Sequence, residues 1–251
     1  MAKQTGIIRL KGTIGGISFY KTADGHLARE KGGVDASRIK NDPAFQRTRE
    51  NGAEFGVAGR GGKTLRNAIR ILLLNAKDKR VVSRLTTDLL KIVKTDATNA
   101  RGARTVEDGN LALLKGFEFN SNGKLGSTLF APSVNAFDRV TGGAIVSIAP
   151  FSSKKRIATP AGTTHFKMVM GDAEVDFANE SSVFESDETA ASPYKNVPTA
   201  QIDLSAIITA NSDKPVAQVS GIEFYQEVNG EMYSLKNGSY NALSVIEVDT
   251  V

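Results

Sequence analysis

The chain has 251 residues, of which 40 % are hydrophobic and 24 % charged, enough for one large or two small folded domains. It contains no cysteine, which excludes disulfides, thiolate metal sites and cysteine nucleophiles together. The longest apolar run, Ile71-Leu72-Leu73-Leu74, is far short of the roughly 20 residues that span a bilayer.

The opening MAKQTGIIRLKGTIGG has no apolar core of signal-peptide length. Membrane insertion and secretory export are therefore not expected, and the expected location is the cytoplasm or a virion. The net charge of +5 hides an asymmetry. Residues 1–105 carry 22 Lys/Arg against 9 Asp/Glu, and residues 106–251 carry 10 against 18. Such a split points to a basic patch facing a polyanion, or to oppositely charged ends that meet in an assembly.

The first 40 residues read as a basic β-hairpin arm. Short strands are broken by Gly15-Gly16 and closed by a turn at Ala23-Asp24-Gly25, with Ile17, Phe19 and Lys21 on one face and Ser18 and Tyr20 on the other. Two or three short strands are marginal in water, so the arm is expected to pack on the chain or on a neighbour by strand addition. Ile17, Phe19, Tyr20 and Arg29 are the subunit-contact candidates.

Residues 41–105 read as a helical segment. Asp42 is placed to cap and Pro43 to open a helix, which is expected to weaken across Gly56, Gly59, Gly61 and Gly62 and give way to a second helix near Lys63. A third is expected with the apolar stripe Val81, Val82, Leu85, Leu89, Ile92 and Val93. Arg47, Arg60, Lys63, Arg66 and Arg70 are the basic-surface candidates. Residues 96–110, DATNARGARTVEDGN, read as a polar connector and domain boundary.

Residues 106–251 change to period two and read as an antiparallel β-sandwich. Hairpins are expected at Asn122-Gly123 and Asn229-Gly230, and residues 185–193 are expected to form an exposed acidic loop. The fold class is thus α+β: arm, helical segment, sandwich.

Chemistry finds little support in the motifs. GVAGRGGKTLRNAI, residues 56–69, ends like a phosphate loop at Gly62-Lys63-Thr64, but the first glycine should stand at 57, which is Val57. His26 and His165 fall in different segments, no G-x-S-x-G elbow occurs, and a zinc site would need carboxylates almost alone. Asp172, Glu174 and Asp176 alternate on one strand with Glu180 after them. They are read as an exposed acidic face, with calcium binding as the lesser reading. No catalytic residue, metal or cofactor is assigned.

GGISFYKTADGHLAREKGG followed by NDPAFQRTRENGAEFG resembles a module at the start of some phage and prophage structural proteins, in which a Gly-rich strand pair leads into a helix with Asn, Gln, Arg and Phe at set spacing. Asn41, Gln46, Arg47 and Phe55 stand for these, with the Phe displaced and the usual tryptophan missing. The chain also resembles a family of Bacteroidota proteins with a similar start and a β-rich C-terminal half. The resemblance covers about the first 60 residues and implies a structural role without catalytic residues. The expected function is a non-enzymatic, self-assembling subunit of a particle or filament. Nonspecific nucleic-acid binding by the basic half is a second reading, and an adhesin-like binding module is a third.

Overall fold

Residues 2–22 and 24–250 are described by the computed structural model, in which the chain divides into two compact units, 1–50 and 51–251. The fold is α+β, rich in antiparallel strands.

In the first unit, β1 (Ala2–Lys3), β2 (Gly12–Ile14), β3 (Ile17–Thr22) and β4 (Gly25–Glu30) form an antiparallel sheet of order β1-β4-β3-β2. β1 is a strand beyond the expected hairpin. Gly15, at φ 57°, supplies the left-handed residue that the two-residue turn between Ile14 and Ile17 requires. The second turn joins Thr22 to Gly25; its Ala23 lies outside the described residues. Helix α1 (Ala36–Asn41) is capped by Asp35, whose carboxylate accepts the Ser37 N–H at 2.7 Å. Asp42 accepts the Ala44 N–H at 3.0 Å and opens a 3-10 turn, Pro43–Phe45, that leads into α2 (Gln46–Ala68).

α2 runs unbroken through Gly56, Gly59, Gly61 and Gly62, against the expected change of helix near Lys63. Packing offsets the helix cost at two of them, Gly61 and Gly62. A Cβ on Gly61 would stand 3.1 Å from Val106 and 3.3 Å from Phe177, and one on Gly62 would stand 3.3 Å from Leu89. The helix ends at Ile69 (φ −89°, ψ 20°), and α3 (Arg70–Leu73) and α4 (Val81–Thr95) follow. α4 buries Val81, Leu85, Leu89, Ile92 and Val93 as expected, whereas Val82 is exposed.

The expected connector 96–110 is a docked loop. Asp96 is buried and accepts the N–H groups of Thr98, Asn99 and Thr105 at 2.8–2.9 Å. Burial alone would raise its pKa, but these bonds outweigh it and hold the carboxyl well below the usual range. Glu54 on α2, also buried, accepts the Gly102 N–H at 3.0 Å. The expected boundaries at 40/41 and 105/106 therefore do not match the compact units. The helices, this loop and the strands that follow share one core.

The expected hairpin at Asn122-Gly123 does not form. Residues 116–119 instead run beside the last strand, with Gly116 N–H to Val245 O at 2.7 Å and Phe119 N–H to Leu243 O at 2.8 Å. After α5 (Leu125–Thr128) come β5 (Ser133–Asp138), β6 (Gly143–Ile148), α6 (Ser153–Arg156), β7 (His165–Asp176), β8 (Ser181–Glu188) and β9 (Ser192–Pro193). The chain ends with β10 (Ile202–Ile207), β11 (Val216–Val228), β12 (Glu231–Ser234) and β13 (Ala242–Asp249). Residues 185–188 thus belong to β8 and not to the expected loop. Asn229 and Gly230, at φ 54° and 85°, form the expected two-residue turn between β11 and β12.

β10-β6-β5 make a three-stranded sheet. β7 and β11 centre a six-stranded one, with β8 and β9 on the far edge of β7, and β13 and β12 on that of β11. Alternation sends β7 side chains both ways. Val169, Ala173 and Val175 join Leu65, Leu85 and Ile92 of the helices, while Phe166, Met168 and Met170 join Val146, Ile148 and Leu204 of the small sheet.

Asp172 lies on that second side, so the expected exposed acidic face is corrected: the side chain is 0 % exposed. Neither oxygen has a hydrogen-bond partner, nor does Oε1 of Gln218, its register partner on β11. Burial pushes the Asp172 carboxyl up to about 7, and the Gln218 amide, short of hydrogen-bonding geometry, offsets only part of the rise. The folded chain keeps this proton to about pH 7, whereas the unfolded chain releases it near the ordinary 3.8. Stability therefore falls as pH rises through that interval. Asp172→Asn should match the natural protein in urea unfolding near pH 4. Above pH 7 it should exceed it by about 4 kcal/mol; equal midpoints at both pH values would show that Asp172 does not titrate there.

Candidate functional site

No side chain among described residues 2–50 is buried. A sheet normally hides one face against another layer, and here neither face has one within the unit. Register puts Ile14, Ile17, Phe19 and Ala28 on one face, and Ser18, Tyr20, Leu27 and Arg29 on the other. Phe19 and Tyr20 are half-buried by neighbouring strands, whereas Ile14 and Ile17 are 61 % and 44 % exposed. Ile7, Ile8 and Leu10 are exposed as well.

The four contact candidates are thus brought onto one sheet but split between its faces. Ile17 and Phe19 share one; Tyr20 and Arg29 share the other, where the guanidinium lies 5.4 Å from the Tyr20 ring centroid, a cation–π contact. Sequence reasoning passed over Ile7, Ile8, Leu10 and Ile14, although IIRLKGTI alternates as a strand does.

Charge follows the same division. Residues 1–50 hold 10 Lys/Arg against 5 Asp/Glu, and residues 51–251 hold 22 of each. The whole net charge of the chain therefore sits in the unit without a core. The five basic-surface candidates do not make one continuous patch. Arg47 pairs with Glu50 at 3.5 Å and Arg60 with Glu180 at 3.6 Å. Lys63 and Arg70 are exposed, and Arg66 is tucked in, its Nη1 buried without a hydrogen-bond partner. Burial lowers the Arg66 pKa from its ordinary value.

Residues 56–68 lie inside α2, so Gly62-Lys63-Thr64 forms no loop that could wrap a phosphate. A depression of about 470 Å³ is lined by Lys154, Thr164, His165, Tyr194, Lys195 and Glu227. His165 Nδ1 lies 3.0 Å from Thr164 Oγ1, and its Nε2 lies 3.8 Å from Glu227. That hydroxyl already accepts the Glu227 N–H at 2.7 Å, which fits a strand-pinning role better than a nucleophile. Asp176 is taken up by Lys214 at 3.5 Å. Among the described residues no group of three or more His, Asp or Glu side chains is placed to hold a metal ion, and no helix is long and apolar enough to cross a membrane.

A sheet without a core opens readily. Limited proteolysis of dilute protein should cut first within residues 1–45 and leave a resistant product beginning near residue 50, read by mass spectrometry. First cuts inside β7 or β11 would contradict this ranking.

No protein-family model matches the chain, and no curated protein does. Among solved structures, the reeler domain of human F-spondin is similar over 50 % of this chain and 99 % of its own, at 12 % identity and a TM-score of 0.17, a likeness too low to carry an argument about fold or function.

Proposed function

We propose that this chain is a structural subunit that assembles with copies of itself into a particle or filament, with the N-terminal sheet as its contact arm and the packed sheets of residues 106–251, read as a sandwich, as its body. One observation carries the reading: a four-stranded sheet in which no described side chain is buried. Ordering each residue costs roughly 1–2 kcal/mol of backbone entropy, and burial of apolar surface is what offsets it. Within residues 2–50 side chains such as Phe19 and Tyr20 are at most half-buried, so that offset is small and a partner surface is the natural source of the rest. The exposed Ile7, Ile8, Ile14 and Ile17 are the side chains such a surface would cover. The phage-like module that the first 60 residues resemble points toward the same kind of assembly.

The concentration of net charge in residues 1–50 favours a second reading, contact with nucleic-acid backbone, which would weaken steeply with salt.

Removing residues 1–33 takes away no described buried side chain, so the shortened protein should stay folded. Negative-stain microscopy and sedimentation should show ordered assemblies for the full chain and dispersed subunits for the shortened one. Assemblies that persist without residues 1–33 would refute the arm. A nucleic-acid absorbance signal removed by high salt, without ordered assemblies, would move the function to the second reading.

A further inference from the structure

The assembly reading requires a surface that receives the arm, and the following inference rests on that reading. β8 ends the six-stranded sheet, paired to β7 along one edge. Its other edge pairs with no strand among the described residues, and an unpaired edge is the usual template for an added strand. The β7–β8 hairpin, residues 165–188, carries seven Asp/Glu against Lys167 alone among Lys/Arg. Of the seven, Asp172 is buried, Glu188 meets Lys167 at 2.6 Å, Asp176 meets Lys214 at 3.5 Å and Glu180 meets Arg60 at 3.6 Å; Glu174, Glu185 and Asp187 are the ones left to meet a partner's cations.

The N-terminal unit presents the complement. Residues 2–31 carry six Lys/Arg against Asp24 and Glu30. Within them IIRLKGTI, residues 7–14, alternates apolar Ile8 and Leu10 with basic Arg9 and Lys11. Only Gly12–Ile14 of this stretch pair in a sheet, along one edge, to β3. The segment is eight residues long, as is β8.

Side-chain alternation matches as well as length. On β8, Glu185 and Asp187 lie on the side of their register partners Asp172 and Met170, whereas Phe184 packs toward the helical core. A strand laid along β8 with Lys11 beside Glu185 and Arg9 beside Asp187, whose carboxylate also accepts the Ser205 N–H of β10 at 3.1 Å, turns Ile8 and Leu10 to the side of Phe184. In the antiparallel register that opposes Lys11 to Glu185 and Arg9 to Asp187, Leu10 falls opposite Ser186, diagonal to Phe184, and Ile8 opposite Glu188, so the charges carry the match.

We propose that residues 7–14 of one copy add to the free edge of β8 in a second copy, with Lys11 opposed to Glu185. Two copies of one chain supply both surfaces, and neither sign of charge is left facing its like. Both side chains are exposed in the isolated chain, so Lys11→Glu and Glu185→Lys should fold normally, as far-UV circular dichroism will verify.

The test is sedimentation of the full-length protein across a concentration series. Each variant alone replaces an attraction by a repulsion and should need roughly tenfold more protein to half-assemble. An equimolar mixture of the two variants should assemble as the natural protein does, and so should the doubly exchanged chain. Rescue by mixing requires a contact between molecules, so impaired single variants that fail to rescue one another would overturn the proposal. Natural assembly left unchanged by both single variants would overturn this contact while the arm reading stands. A natural protein that stays monomeric at every concentration would overturn both.

Discussion

The β7–β11 ladder is the constraint on which the larger unit depends. Ten register pairs run from Glu174–Val216 to His165–Tyr225, and each strand sends alternate side chains to two different cores. A slip of one residue would exchange the two sets. Both sets are apolar, so hydrophobicity alone penalises the slip weakly; the polar residues make the distinction. Glu223 faces the helical side, where Asn75 donates to it at 3.0 Å and the Tyr225 hydroxyl at 2.5 Å. Gln218 faces the small sheet and donates to Ile145 O at 3.5 Å. Turned over, Glu223 would lose its donors and lie beside Phe166 and Met168, at the cost of a buried, unsatisfied charge. Asp172 is the converse case, a carboxyl in the correct register that still finds no partner.

The first unit has no such constraint. Its strands are paired and its turns are well chosen, but all of its described side chains remain open or half-open to water. Backbone pairing contributes only modestly net of water, about 1 kcal/mol per hydrogen bond, and short strands forgo the apolar burial that stabilises β7 and β11. The contrast is between two kinds of sheet in one chain: one held by side-chain burial on both faces, the other held by its ladder alone.

The sequence made visible those features in which a local pattern coincides with the final environment. The period-two runs of β6, β7, β10, β11 and β13 were legible, as was the Asn229-Gly230 turn, because each is specified within a few residues. The stripe of α4 was legible for the same reason, except at Val82, which a helix-wide pattern cannot separate from its buried neighbours. What escaped depends on distant partners. The glycines of α2 signal a break locally, and only Val106, Phe177 and Leu89 show why two of them, Gly61 and Gly62, serve close packing. Asn122-Gly123 has the chemistry of a hairpin turn, but the chain before it finds its hydrogen bonds on β13, and a Cβ at Gly123 would lie 2.4 Å from Tyr240 O. Asp172, Glu174 and Asp176 look alike in sequence. Asp172 is buried on the side of the small sheet, and Asp176 meets Lys214 from the loop before β11, partners that no local pattern reveals. Of the contact candidates, aromatic content drew attention to Phe19 and Tyr20, while the more exposed Ile7 and Ile8 lie between β1 and β2, outside both strands, and carried no turn signal.

In the proposed contact, charge does more than add attraction. An edge strand can pair with any other open edge, so a subunit with two open sheets faces three pairings: arm to arm, hairpin to hairpin, and arm to hairpin. The arm carries a surplus of Lys/Arg and the β7–β8 hairpin a surplus of Asp/Glu, so the first two bring like charges together and only the third opposes unlike ones. Like-to-like pairing of either kind would join two copies about a twofold axis and stop there. The surviving arm-to-hairpin contact is heterologous: it leaves one arm and one hairpin free after every addition, and growth continues unless the rotation per subunit closes a ring. A chain whose net charge sits in the unit without a core is therefore suited to direct its own polarity, since the segment that most needs a partner is also the one repelled by its own kind.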